Sequence, residues 1–274
     1  MFKIIIMALL IFIGMVGYDN ITDKAQPTTP IQQEQQKTSK HEKSAAMALF
    51  TSLLPPKEEW PSPVHKFYLA FNMDEVIDPI RQNPNWTSLD AMSRDIPQAL
   101  IAIEDHAFYN HGAIAVEGIL RAALANINAG EVVQGGSTLT QQFVKNVFLS
   151  HEQSMERKIE EAVLSLMLED NYSKDEILEL YLNTTYFGAG STGIKQASKT
   201  YFGKAPSALT LAEAAVIASL PYAPTGLNPL ENPEGCKKRQ LLVLASMHKY
   251  GMINQGQLAE AKAEKIRLTN GTVM

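Results

Sequence analysis

Cysteine is nearly absent from this chain of 274 residues, which contains only Cys236. A lone cysteine cannot form an internal disulfide, and no Cys or His stands beside it at ligand spacing, which argues against a zinc site. Positive charge is also scarce, since 24 Lys and Arg oppose 29 Asp and Glu, a net charge of −5. This balance argues against a nucleic-acid partner, because such proteins neutralise many phosphates. Any anionic ligand must therefore meet a local cluster of positive charge.

The first residues lack an apolar stretch of the roughly 20 residues that span a bilayer comfortably. The run from Ile4 to Tyr18 has 15 residues, a length at the upper end of signal-peptide cores. No small-x-small cleavage site follows it, so residues 1–18 are predicted to be an uncleaved membrane anchor, with a cleaved signal segment as the alternative. Residues 19–62 are predicted to be a polar linker, because their first half is rich in Gln and Pro.

The remainder of the chain has the pattern of a mainly α-helical protein. Helices are predicted for the segments PQALIAIED and GILRAALANINAG. Ser173 and Thr210 each begin an S/T-x-x-E capping box, which predicts that a helix starts there. A last helix is predicted over about residues 234–250. Strand-like alternation occurs only in VHKFYLAF, residues 64–71.

A loop of small polar residues, GGSTLTQQFVKN, begins at Gly135. Its glycines allow close backbone approach, and its Ser, Thr and Gln side chains can bond a sugar or a phosphate. The G-K-[ST] ending of a nucleotide P-loop is missing. Lys145 in this segment, with Arg157 and Lys158, supplies the local positive cluster that a phosphate-bearing ligand requires.

Two glutamates stand where apolar helices become polar. Glu104 ends the run ALIAI and precedes a turn with aromatic residues and histidines, where partial burial favours a general base. Glu161 lies four residues after Arg157 and three after Lys158, so all three share one helix face. The alternative for Glu104 is a helix-end carboxylate that bonds only its neighbours. The alternative for Glu161 is a solvated surface ion pair. A metal site at His106 and His111 is the weaker interpretation, because their spacing of five is off the helical ligand spacing.

These segments together resemble the peptidoglycan glycosyltransferases, glycosyltransferase family 51. This family comprises monofunctional biosynthetic transglycosylases and the glycosyltransferase domains of bifunctional penicillin-binding proteins. The resemblance covers about residues 90–262 and rests on EDHAFYNH, GGSTLTQQFVKN, RKIEE, KDEILELYLN and KRQLLVL, in this order. Five motifs in order are far more specific than any one of them.

The resemblance implies a mainly α, lysozyme-like glycosyltransferase domain with a smaller membrane-proximal lobe. On this basis we expect the domain at residues 63–266 and a tail at 267–274. The implied reaction polymerises lipid II into peptidoglycan glycan strands, with inversion at the anomeric carbon and release of undecaprenyl pyrophosphate. The implied partners are lipid II, the nascent strand, the membrane and penicillin-binding transpeptidases. The catalytic domain is expected on the periplasmic or outer face of the cytoplasmic (inner) membrane, held by a single span.

The resemblance also assigns roles to individual residues. Glu104 is the implied base for the 4-hydroxyl of the acceptor sugar, and Glu161 assists near the pyrophosphate of the growing chain. A divalent ion, Mg²⁺ or Mn²⁺, is compatible with the position near Glu161. The implied substrate-binding residues are Ser137, Thr138, Gln141, Gln142, Lys145, Arg157, Lys158, Asn183 and Arg239.

The chain departs from the family pattern at two places. Gln153 stands where the family usually has an arginine, so one pyrophosphate contact is expected to be missing. The pattern H-x-G-I-D appears as HGAIA, residues 111–115, with a shifted glycine and no aspartate, which is expected to lower activity or alter the substrate pose. The S-x-x-K, S-D-N and K-T-G motifs are missing, so no transpeptidase domain is expected.

Two other functions stay open at this level. A lysozyme-like glycan-cleaving enzyme also uses a buried glutamate in a helical fold, but it does not need the cluster of Lys145 and Arg157. A degenerate scaffold that binds lipid II without turnover is favoured by Gln153 and Ala115, and disfavoured by the presence of both glutamates.

Overall fold

The computed structural model describes residues 68–129, 135–149 and 154–274. By its internal contacts the chain divides into two units, residues 1–72 and 73–274. In the first unit, residues 68–71 are helical, and both the backbone N–H and the side-chain amide of Asn72 donate to the carbonyl of Tyr68. The strand-like prediction is therefore wrong for residues 68–71. The apolar run YLAF is too short for periodicity to distinguish a strand from a helical turn.

The second unit is mainly α-helical in its described residues, which confirms the mainly α prediction. Between residues 73 and 274 the described segments contain no β-strand, only two isolated bridges at Tyr186–Thr192 and Arg267–Val273. The described helices are α1 (Asp74–Arg81), α2 (Asp95–Glu104), α3 (Val116–Ala129), α4 (Leu139–Phe148), α5 (Met155–Asn171), α6 (Lys174–Thr184), α7 (Ile194–Phe202), α8 (Leu211–Ser219), α9 (Pro233–Lys249) and α10 (Gln255–Ala263).

Helix α8 lies in the core of this unit. Its residues from Ala212 to Ser219 are all buried, and it packs against α2 and α9. Four of them are alanines, whose small side chains let neighbouring helices approach closely, while Val216 and Ile217 fill the space between. Helix α2 contributes its own buried face to the same core. A second group forms where α4 packs against α5 and α6.

The predicted helix boundaries are mostly confirmed. Ser173 and Thr210 both form the predicted capping boxes, at the starts of α6 and α8. The predicted last helix is α9, and Gly251 follows it with a φ of +73°, a conformation that favours glycine. Helix α10 is not predicted from the sequence. Its start nevertheless has a local signal, since Asn254 forms a capping box with Gln257.

No helix in residues 68–129, 135–149 or 154–274 combines the length and the apolar character that crossing a bilayer requires. The predicted anchor within residues 1–18 and the linker at 19–62 lie outside the described residues.

Candidate active site

Glu104 is the last residue of α2, and the chain leaves the helix immediately after it. A short 3₁₀ helix, Phe108–Asn110, forms the following aromatic turn, which agrees with the predicted setting. The carboxylate is only partly buried. Its Oε2 accepts a hydrogen bond from Nε2 of Gln142 on α4 at 3.0 Å. The carboxylate therefore lies where the two helical groups meet.

Asp105 connects the turn after Glu104 to the start of α4. Its Oδ2 accepts from the backbone N–H of Leu139 at 3.0 Å, and its Oδ1 lies 2.6 Å from Nε2 of His111. The other ring nitrogen of His111 lies 2.6 Å from the carbonyl oxygen of Gly112. Both partners of the ring only accept hydrogen bonds, so this arrangement favours the form in which both ring nitrogens are protonated and the imidazole is positively charged.

We expect the contribution of His111 to stability to disappear as pH rises. Burial alone lowers the pKa of His111, but its bonds to Asp105 and Gly112 outweigh burial and raise the pKa above the ordinary value of 6.5. A raised pKa gives stability that is complete below the unfolded-state pKa and is lost as pH passes the folded-state pKa. The Tm of the parent should therefore exceed that of His111→Gln at about pH 6, and the gap should narrow by about pH 9.

His248→Gln is a matched control, because its Nδ1 lies 3.1 Å from a single backbone carbonyl, that of Ile253. A gap between parent and His111→Gln that stays constant from acid to alkaline pH would show that the ring is not charged.

Glu161 is 2% exposed, and two cations surround its carboxylate. Nη1 of Arg157 lies 3.5 Å from Oε2, and Nζ of Lys158 bonds Oε1. This confirms the pairing predicted from the helical spacing. Nε of Arg157 is buried and has no hydrogen-bond partner within the described residues, so a donor remains for an anionic ligand.

The segment that begins at Gly135 joins the two glutamate sites. Its prediction as a loop is wrong from Leu139 onward, because the capping box of Thr138 and Gln141 starts helix α4 there. Nζ of Lys158 donates to Oγ of Ser137 at 3.1 Å, and Leu139, two residues further on, donates to Asp105. Two residues of extended chain span at most about 7 Å. The cationic end of α5 and the turn that carries Glu104 are therefore attached to one short segment.

Lys145 lies on α4 three residues after Gln142, which places the two side chains on the same helix face. Its side chain is exposed and makes no ion pair with a described residue. An ammonium group on the same helix face as Gln142 is thus left for a ligand.

Four other predicted substrate-binding residues also have structural partners. Thr138 and Gln141 form the capping box of α4, and both are buried. The side-chain amide of Asn183 accepts a hydrogen bond from the backbone N–H of Thr87 and donates one to the carbonyl of the same residue. The guanidinium of Arg239 lies 4.2 Å from the ring centroid of Tyr222. Direct contact of these four with substrate stays a prediction.

The two histidines of the first motif have separate partners. His106 stacks on Tyr250 with ring centroids 4.1 Å apart and an angle of 12°, while His111 bonds Asp105. Burial lowers the pKa of His106, and the positive charge of Arg121 lowers it further. Tyr250 lies at the end of α9, and no motif in the sequence indicates that it contacts the turn that follows Glu104.

The residues around Glu161 do not fit a metal held by carboxylates. Both oxygens of Glu161 already face Arg157 and Lys158, and no cluster of three His, Cys, Asp or Glu in the described segments could hold an ion. The divalent ion implied by the resemblance stays a prediction. Gln153, the site of the expected missing contact, lies outside the described residues.

Comparison with known proteins supports the family resemblance. A family model described as transglycosylase matches residues 73–248, the greater part of the chain. The chain belongs to the transglycosylase family. A Cupriavidus necator protein named as a transglycosylase is 40% identical over 194 residues, 71% of this chain and 84% of that protein. Penicillin-binding protein 1A of Neisseria flavescens is 44% identical over 185 residues, 68% of this chain.

This transglycosylase chain spans about a quarter of the penicillin-binding relatives it matches, 23% in the Neisseria flavescens protein. A solved structure of penicillin-binding protein 1A from Haemophilus influenzae aligns with 48% of this chain and 16% of its own, at 33% identity. Its TM-score of 0.34 is too low for a comparison of folds.

Proposed function

We propose that this transglycosylase polymerises lipid II into peptidoglycan glycan strands. The observation that carries the proposal is the attachment of two sites to one segment, residues 137–139. One site is a carboxylate at a helix end, Glu104, and the other is a cationic helix end around Glu161. Glycosyl transfer to a sugar hydroxyl needs a base on one face of the anomeric carbon and charge relief for the leaving group on the other.

In the proposed reaction, Glu104 takes the proton from the 4-hydroxyl of the acceptor sugar. The resulting oxygen attacks the anomeric carbon of the donor, and the bond from that carbon to the phosphate oxygen breaks. Undecaprenyl pyrophosphate leaves with the bonding electrons, and the anomeric configuration inverts. The proton that Glu104 has gained then passes to solvent.

Lys145, Arg157 and Lys158 are proposed to stabilise the departing pyrophosphate. Lys145 makes no ion pair with a described residue, and Arg157 retains a buried, unused Nε donor. Glu161 holds the two α5 cations in place with its buried carboxylate. Charge-assisted bonds of this type stabilise phosphate oxygens more strongly than neutral donors do.

The experiment that tests this function incubates the purified full-length protein with labelled lipid II. The expected product is a polymer that lysozyme degrades. Shortening of a preformed glycan instead of polymer formation would indicate a glycan-cleaving enzyme. Binding of lipid II with no product would indicate a scaffold.

We further propose that α3 forms the membrane-proximal lobe with the first turns of α5. Val116, Leu120 and Ile127 of α3 are 64%, 60% and 75% exposed, and their spacing places them on one side of the helix. Met155 and Ile159 are exposed on α5. Exposed apolar helix faces of this kind favour contact with a membrane, where a lipid-tailed substrate lies.

Fluorophores on Leu120→Cys and Leu242→Cys can test this membrane contact in the full-length protein on lipid vesicles. Leu242 is a matched control, 54% exposed on α9. The native Cys236 does not compete for label, because it is buried and burial raises its pKa to about 11. Brominated lipids should quench the label at position 120 and spare the one at 242. Equal quenching at both positions would contradict this orientation.

A further inference from the structure

Three side chains from three helices form a hydrogen-bonded series that ends at Glu104. Oη of Tyr181, on α6, donates to Oε1 of Gln142 at 3.0 Å. Nε2 of Gln142, on α4, donates to Oε2 of Glu104, on α2, also at 3.0 Å. The sequence motifs contain all three residues but do not indicate that they touch.

The direction of each bond follows from the charge of Glu104. An ionised carboxylate only accepts hydrogen bonds, so Gln142 must present its NH₂ group to it. The carbonyl oxygen of Gln142 then faces Tyr181, whose hydroxyl must donate. Burial raises the pKa of Tyr181, the negative charge of Glu104 raises it further, and the Thr185 hydroxyl offsets this only in part. Tyr181 therefore keeps its proton, and remains a donor, at physiological pH.

We propose that Tyr181 is a positioning residue for the base. By holding the amide of Gln142 in one orientation, it keeps an N–H donor on Oε2 of Glu104. In the described part of the chain, Oε1 of Glu104 makes no hydrogen bond, so this oxygen is left for the acceptor hydroxyl. The catalytic role of Glu104 rests on the proposed function, whereas the effect of Tyr181 on the carboxylate can be measured without it.

Loss of the tyrosine hydroxyl has a defined consequence. In Tyr181→Phe only the charge of Glu104 still selects the orientation of the Gln142 amide, so the reversed orientation becomes more populated than in the parent. The reversed orientation places Oε1 of Gln142 against Oε2 of Glu104, and two acceptors in contact favour the protonated acid. The carboxylate should then require a higher pH to become ionised.

The test follows the titration of the Glu104 carboxyl by ¹³C NMR in the full-length protein, assigned by its disappearance in Glu104→Gln. Tyr201→Phe is the matched control, because Tyr201 is fully buried and its hydroxyl donates to a backbone carbonyl, that of Phe187, at 2.8 Å. We expect the Glu104 titration to move to higher pH in Tyr181→Phe and to stay at the parental value in Tyr201→Phe.

Lipid II turnover provides a second readout. Tyr181→Phe should lower kcat about tenfold at neutral pH with little change in KM, the effect of one lost hydrogen bond. It should also shift the acid limb of the plot of kcat against pH to higher pH, so that the variant regains activity in alkaline solution. Tyr201→Phe should lose similar thermal stability and keep the parental profile.

If the Glu104 carboxyl titrates at the same pH in Tyr181→Phe as in Tyr201→Phe, the positioning role is overturned, even if the parent polymerises lipid II. A shifted titration in a protein that makes no polymer would support the positioning role and reject the proposed function. If Tyr181→Phe does not fold, Gln142→Met removes the donor to Glu104 directly. If the Glu104 titration shifts to higher pH in that variant, the result supports the hydrogen-bonded series from Tyr181 to Glu104. An unchanged titration overturns it.

Discussion

Glu104→Gln should abolish polymerisation of lipid II while the protein remains folded. The amide cannot take a proton from the acceptor hydroxyl, and loss of a general base typically lowers the rate by about 10² to 10⁴. Folding should be intact, because the new side chain has the same shape and its carbonyl oxygen can still accept from Gln142. The measurement is the initial rate of polymer formation, with Tm measured on the same preparation.

Glu234→Gln serves as the matched control for this substitution. Glu234 is exposed in the first turn of α9, so the same change of chemistry occurs away from Glu104. Its turnover should equal that of the parent. Normal turnover by a folded Glu104→Gln protein would place the base at another residue.

Lys145→Ala should lower lipid II turnover about 10- to 150-fold. This range corresponds to a charge-assisted hydrogen bond to phosphate of about 1.5 to 3 kcal/mol. Lys145 shares a helix face with Gln142 and makes no ion pair with a described residue, so its loss removes a charge that the fold does not use. Gln153 adds to the expected effect, because the usual arginine partner is a neutral amide in this chain.

Lys199→Ala provides the comparison for this loss of charge. Lys199 is exposed on α7, and its removal should leave turnover at the parental rate. Lys145→Arg should retain much of the activity, because it keeps the positive charge. If Lys145→Ala polymerises as fast as Lys199→Ala, Lys145 has no role in stabilising the leaving group.

Much of the fold was predictable because its signals are local. The capping boxes at Ser173 and Thr210 each need only a hydroxyl and a glutamate three residues later. The pairing of Glu161 with Arg157 and Lys158 follows from helical spacing in the same way. The wrong strand-like prediction at residues 68–71 has a related cause, since four apolar residues carry too little periodicity to choose a secondary structure.

The candidate site was only partly predictable. The sequence indicates that Glu104 and Gln142 both belong to polar motifs, but 38 residues separate them. Their contact depends on how α2 and α4 pack, and no pattern within either segment reports that packing. Tyr181 has no independent signal, because a tyrosine in an apolar helix is more often a packing residue than a hydrogen-bond donor to a functional group.

The amino-acid sequence by itself determined the helical class, the helix starts at the capping boxes of Ser173 and Thr210, and the family motifs that contain the two glutamates. Each of these depends on residues that are close together in the chain. Only the tertiary structure decided which acceptors His111 faces, that Asp105 bonds the start of α4, and that Tyr181 reaches Glu104 through Gln142. These contacts arise where helices from distant segments meet, and the geometry of such a junction depends on the packing of the whole core.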